Sequence, residues 1–204
     1  MLTTRYKSSV GRVLEPLAKS LARRGVSPTV LTLIGALGSA LVCLVFLRTR
    51  AVIPFCIAIA AVGSLDALDG AVARAGGRAT PFGAYLDALC DRYVEAMVVG
   101  SVAYVTGAWA LSMTVMAGSL LVSYAKARAA MEVRIENQEW PDLMERTERA
   151  VCFLGGLLLS RLIPWRPLGR DLFWWTLVLL AVLLHVTVAQ RTLRARRIIR
   201  ARSH

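Results

Sequence analysis

Histidine, cysteine and acid are all scarce in this chain, at 2, 4 and 13 residues among 204. Each scarcity excludes a kind of site. His185 lies in an apolar run and His204 at the last position, so a histidine-based metal or catalytic centre has little to build on. Cys43, Cys56, Cys90 and Cys152 are scattered through apolar segments without CxxC spacing. They offer neither a zinc site nor a disulfide framework, and buried thiols are the expectation. The ~10-residue segments of alternating hydrophobicity that build a membrane β-barrel are absent. No cleavable leader is visible, because the first 27 residues carry six basic groups and no uninterrupted apolar stretch. The first span is therefore expected to anchor itself. There is no internal repeat and no low-complexity segment.

What is abundant is apolar. Hydrophobic residues make up 56% of the chain against 19% charged, and they cluster in runs approaching the ~20 residues that cross a bilayer. The runs are Val30–Leu47, Val52–Leu68, Pro81–Thr106, Ala108–Ala129, Arg149–Ile163 and Leu172–Gln190. They predict an all-α polytopic integral membrane protein of six transmembrane helices. The formal charge of +12 could serve nucleic acid, but its placement argues against that. Excluding Arg92 inside a span, 19 Lys and Arg fall on the side of the termini and 5 on the other. This positive-inside pattern puts both termini in the cytoplasm and assigns the basic residues to anionic headgroups.

Three segments follow. Residues 1–27 include "RYKSSVGRVLEPLAKSLARR", whose Val10, Val13, Leu14, Leu17 and Leu21 alternate with bases at helical spacing, as in an interfacial amphipathic helix interrupted at Pro16 and ended at Gly25. Residues 28–191 hold the six spans, with Ser27 as N-cap and Pro28 at the first helical position. Residues 192–204 are a basic cytoplasmic tail. Between spans 2 and 3, Gly76, Gly77 and Pro81 mark a sharp break.

Four of the few acids are concentrated around that break, in "DALDGAVARAGGRATPFGAYLDALCD". Asp66 and Asp69 are i, i+3 and share one helix face; Asp87 and Asp91 are i, i+4 on the next helix, with Gly83 one turn before. Antiparallel packing across the short loop brings the two acidic faces to one depth. Converging carboxylates repel at low dielectric unless protons or cations neutralise them. Hard oxygen ligands suit Mg²⁺ or Mn²⁺, four carboxylates suffice for two ions, and paired ions serve phosphoryl displacement. Gly70 and Ala73 leave room beside the helix, and Arg74 supplies a bidentate phosphate partner. A solvated helix end or an ion pathway would explain some of these acids, but not the small residues and flanking Arg among them.

The string Asp66, Asp69, Gly70, Ala73, Arg74, Gly83, Asp87, Asp91 reads D-x2-D-G-x2-A-R-x8-G-x3-D-x3-D and resembles the signature of the CDP-alcohol phosphotransferase family at every position. "SPTVLT" is similar to the family's opening of span 1, and six spans is its architecture. The resemblance implies an enzyme in which an acceptor hydroxyl attacks the β-phosphorus of a CDP-linked lipid, CDP-diacylglycerol or its archaeal ether counterpart, and CMP leaves. It makes Asp66, Asp69 and Asp87 metal ligands, with Asp91 a ligand and the base. Asp69, Gly70, Ala73, Arg74 and Gly83 would contact CDP. A homodimer is implied too, and Gly100 and Gly107 would allow close helix packing.

"SYAKARA", "ERTER", the "PW" turn and the terminal "QR" of span 6 resemble segments of the family's prokaryotic phosphatidylinositol-phosphate synthases and their archaetidylinositol-phosphate relatives. By that resemblance Lys126, Arg149 and Arg191 would grip the phosphate of inositol phosphate, with Glu145 and Glu148 orienting the arginines. The connection "MEVRIENQEWPDLM" is longer and more acidic than the branch's usual one. Glycerol phosphate as acceptor, and transfer from CDP-inositol, are the alternatives within the class. A transporter is the alternative outside it, for which repeats and midplane acids would be expected.

Overall fold

The computed structural model describes residues 15–77, 79–133, 144 and 146–202, with the backbone alone at Asp66, Ala67 and Arg202. All regular structure among them is helical: α1 (residues 15–23), α2 (Pro28–Thr49), α3 (Val52–Ala75), α4 (Pro81–Thr106), α5 (Trp109–Glu132), α6 (Arg146–Leu162) and α7 (Leu172–Arg202). The six longest stand where apolar runs predicted them, and α4 has the predicted limits.

Elsewhere capping and propensity move the ends. Pro28 opens α2 after Ser27, whose carbonyl accepts from Val30 and Leu31 while its hydroxyl makes no cap bond. α7 does not stop at Gln190 but continues to Arg202. Its last stretch, "RTLRARRIIRAR", has no Gly or Pro and consists largely of strong helix formers. Residues 192–202 of the basic tail thus extend the helix, and no break falls at residue 191.

Among the described residues four helices, α2, α3, α5 and most of α7, are long and apolar enough to cross a membrane. α6 has 17 residues, roughly 25 Å at the helical rise, short of the ~30 Å hydrocarbon layer. α4 is long enough but carries Asp87, Asp91, Arg92 and Glu95. Much of the apolar surface faces outward, as Leu37, Leu41 and Leu44 do along one stripe of α2. That inversion suits a lipid environment.

The chain forms two compact units, Met1–Thr106 and Gly107–His204. In the first, α2 packs against both α3 and α4, whereas α3 and α4 make no comparable approach to each other. Phe46 and Phe55 stack across the α2–α3 turn with centroids 4.0 Å apart. Within the described residues α1 runs from Glu15 through Pro16, and the stretch before it, where the amphipathic pattern starts, lies outside them. The helix ends at Gly25 (φ 77°) in a Schellman arrangement: Gly25 N–H donates to Ala22 and Val26 N–H to Leu21. α1 turns Ala18, Leu21 and Ala22 onto Leu68 and Val72 of α3, leaving Leu17 half exposed. The inward face is thus one residue round from the Leu17 stripe, with the small Ala18 at its centre.

In the second unit, α7 packs against α5 and α6. Two glycines permit the close approach. A β-carbon at Gly118 would lie 2.9 Å from Leu184 Cβ, and one at Gly156 would overlap the side chain of Thr176. Gly100 and Gly107, expected to allow close helix packing between copies, have no neighbour within this chain at the β-carbon position, and Gly107 (φ 74°) serves the turn before α5. All four cysteines are free; Cys43 and Cys56 are buried, but Cys152 is exposed on α6.

Candidate active site

The acid-bearing ends of α3 and α4 are shaped by their own sequence. α3 runs through Asp66, Asp69, Gly70 and Ala73 to Ala75, and Gly76 with Gly77 (φ 61°) turns the chain. Thr80 then caps α4: its hydroxyl accepts from Gly83 N–H at 3.0 Å and its carbonyl from Ala84 N–H at 3.1 Å, with Pro81 in the first turn. Gly83 therefore has a local reason to be glycine. A β-carbon there would stand 3.0 Å from the capping oxygen.

Asp69 is the most enclosed of the described acids, 5% exposed. A carboxylate so buried needs hydrogen bonds or cations. One partner comes from α2, where the Thr32 hydroxyl lies 2.5 Å from Asp69 Oδ2. Asp87 and Asp91 are partly buried one turn apart on α4, and Oδ1 of Asp87 is shielded from solvent. Asp69 of α3 is among the acids near Cys90 of α4, together with Asp87 and Asp91 of Cys90's own helix.

Among the described side chains no three acids, histidines or cysteines stand close enough to hold one ion. The side chain of Asp66, the fourth acid, lies outside the described residues. The donor chemistry nevertheless fits a hard divalent cation: carboxylate oxygens, one of them on a deeply buried side chain. Arg74 folds back over Gly70, where a β-carbon would meet its guanidinium at 3.3 Å. The bare glycine surface thus lets the guanidinium lie along the helix. Arg92, the cation inside α4, pairs with Glu95 at 2.7 Å.

The three candidate phosphate-binding cations belong to the second unit. Arg191 of α7 is buried and donates to the Val122 carbonyl of α5, one turn from Lys126. Arg149, at the start of α6, is also buried and donates to the Met144 carbonyl at 3.0 Å. Lys126 is partly exposed. Both arginines therefore also organise backbone. Glu145, expected to orient Arg149, and most of the acidic connection lie outside the described residues.

An all-helical frame that carries this acid string on α3 and α4 points to the class. The chain belongs to the CDP-alcohol phosphatidyltransferase family, whose model matches residues 25–187. It is a membrane enzyme that transfers a substituted phosphate group. Among its relatives is the phosphatidylinositol phosphate synthase of Mycobacteroides abscessus, 35% identical over 195 residues, covering 91% of this chain and 84% of that one. The crystal structure of Mycobacterium tuberculosis phosphatidylinositol phosphate synthase with CDP-DAG bound is similar, with TM-score 0.78, 28% identity, and coverage of 90% of this chain and 94% of that one. The same enzyme in complex with manganese and citrate aligns with TM-score 0.76 and 29% identity, covering 89% of this chain and 88% of that one.

Thr32 is the residue that sequence reasoning left without a role. It lies within the "SPTVLT" segment, but its partner is 37 positions away, and only the α2–α3 packing brings the two together.

Proposed function

We propose that this protein makes phosphatidylinositol phosphate by transferring the phosphatidyl group of a CDP-linked lipid to inositol phosphate, with release of CMP. The observation that carries the reading is the acid string itself, two carboxylate-bearing faces on α3 and α4 in one locality with Asp69 buried among them. The kinship with phosphatidylinositol phosphate synthases supports the choice of acceptor.

In this reading Asp66, Asp69, Asp87 and Asp91 hold two Mg²⁺ or Mn²⁺ ions. When bound, the ions neutralise the pyrophosphate oxygens and make the β-phosphorus more electrophilic. Gly70, Ala73 and Gly83 leave room for the cytidine diphosphate, and Arg74 and Asp69 complete its pocket. Asp91 accepts the proton of the acceptor hydroxyl as that oxygen bonds to the β-phosphorus. The bond from β-phosphorus to the bridging oxygen breaks, and CMP departs with the oxygen. A neutral alcohol is a poor nucleophile, so a carboxylate base at this point has chemical work to do.

Lys126, Arg149 and Arg191 bind the phosphate already present on inositol phosphate, a dianion to which three cations are complementary. The chain spans the membrane six times with its termini and acids on the cytoplasmic side, α1 lies at the interface, and two copies associate. α4 can span despite its charges because Arg92 and Glu95 neutralise each other and its acids hold cations.

The test is CMP release by the purified protein with CDP-diacylglycerol and Mg²⁺ or Mn²⁺, offering inositol phosphate, glycerol phosphate, inositol and serine in turn. Inositol phosphate alone should support turnover. Turnover with glycerol phosphate instead would reassign the acceptor and keep the class, whereas no CMP with any alcohol would overturn the reading. In the same assay Lys126→Ala should raise the KM for inositol phosphate about 10-fold with kcat little changed, because it binds a phosphate remote from the reacting bond. An effect confined to the CDP-lipid KM would reject this site.

A further inference from the structure

We infer that Thr32 is a positioning residue for Asp69, its hydroxyl fixing the orientation in which that carboxylate meets a divalent cation. The inference rests on the reading of Asp69 as a metal ligand.

The Thr32 oxygen has two acceptors within reach, Pro28 O at 3.2 Å and Asp69 Oδ2 at 2.5 Å. A hydroxyl carries one proton. The bond back to Pro28 is the ordinary way for a helical threonine to satisfy itself. Here the carboxylate is both nearer and the stronger acceptor, since hydrogen bonds to charged oxygens are shorter and roughly twice as strong as neutral ones. The proton therefore goes to Asp69.

The backbone on both sides of this bond is held. Leu31, next to Thr32, packs on the cluster of Ala18, Leu68 and Val72, and Leu68 is next to Asp69. Three elements thus meet around one bond: α1 presses on α3, the first turn of α2 presses on both, and the Thr32 hydroxyl crosses to the acid. Because α2 also carries α4, the helix that sets the separation of the two acidic faces is the helix that holds Asp69. The bond from Thr32 to Oδ2 fixes the plane of the carboxylate, and with it the direction in which its lone pairs meet a cation. Outer partners of this kind typically change metal affinity by roughly 10- to 100-fold.

The experiment measures Mn²⁺ binding to the full-length protein in detergent, from the electron paramagnetic resonance signal of free Mn²⁺, with no lipid substrate. Wild type is compared with Thr32→Val, Thr32→Ser, Thr32→Ala and Asp69→Asn, each checked for a cooperative thermal transition. Thr32→Val should weaken binding roughly 10-fold, and Thr32→Ser should bind as wild type. Serine and alanine both lack the methyl group, so their difference isolates the hydroxyl even if the valine variant does not fold. Wild-type affinity in Thr32→Val or Thr32→Ala, or equal losses in Thr32→Ser and Thr32→Ala, overturns the inference. Asp69→Asn separates the two levels. If it binds Mn²⁺ as wild type, the ligand reading fails and this inference with it; if it loses Mn²⁺ while Thr32→Val does not, only the role of Thr32 falls.

Discussion

Replacing Asp91 by asparagine is expected to lower the rate of CMP release by about 10³-fold while leaving CDP-lipid affinity within a few-fold of wild type. The change keeps the size of the side chain and removes its charge and basicity. A positioned base contributes roughly 10²- to 10⁴-fold, and the loss of a negative ligand oxygen beside the attacked phosphorus adds to that. CDP binding should persist because Gly70, Ala73 and Arg74 lie on α3, and Asp91 lies more than two turns into α4. α4 itself should be undisturbed, since its start is fixed by Thr80 and its middle by Arg92 and Glu95. The measurement is a single-turnover assay paired with CDP-lipid titration. Wild-type turnover would sink the base assignment; loss of lipid affinity as large as the loss of rate would make Asp91 part of the binding frame instead.

The acid string was legible in the sequence because helical spacing is a local property. Once Asp66 and Asp69, and then Asp87 and Asp91, fall on helices with a glycine-rich break between them, their faces follow from the 3.6-residue period. The limits of α4 were legible for a similar reason: Thr80, Pro81 and Gly107 are strong local stop and start signals. Thr32 was not legible as a partner of Asp69. A threonine one turn into a helix almost always has its own backbone to bond, and only the packing of α2 on α3 offers it a better acceptor. The helical length of α7 beyond its apolar run was not legible from hydropathy, because the backbone stays helical while propensity allows.

The cations proposed to bind the acceptor phosphate are a second case. Positive charge at helix ends reads equally well as membrane anchoring or as ligand binding, and composition does not separate the two. Burial does distinguish them: Arg149 and Arg191 are 6% and 5% exposed, and each donates to a backbone carbonyl. A cation retained only for headgroups has no need to be enclosed. That enclosure supports a local role, structural at least, and makes Lys126 the cleaner probe of acceptor binding.

The adjacent glycines of α6 should behave oppositely, and the difference is the largest stability effect expected in the protein. Gly155→Ala places a methyl group in open space and should be neutral or stabilising by up to ~1 kcal/mol, the helix-propensity gain. Gly156→Ala drives a methyl group into Thr176, whose Cβ would be 2.6 Å away and whose Oγ1 and Cγ2 would be nearer still. Overpacking of this kind costs about 1–3 kcal/mol. Here the obstacle is a β-branched side chain that has few rotamers to escape into, and its hydroxyl is already bonded to Leu172 O. The upper end of that range is therefore expected, read as an earlier unfolding midpoint in a denaturing-detergent titration. Thr176→Ala should rescue poorly, because its own Cβ remains in the way, while Thr176→Gly should restore much of the loss at a helix-propensity cost of ~1 kcal/mol. Equal midpoints for the two alanine variants would mean that α6 and α7 do not meet at Gly156. Since α6 carries Arg149 and α7 carries Arg191, whatever Gly156→Ala protein still folds should also show a raised KM for inositol phosphate, and Thr176→Gly should reverse both effects together.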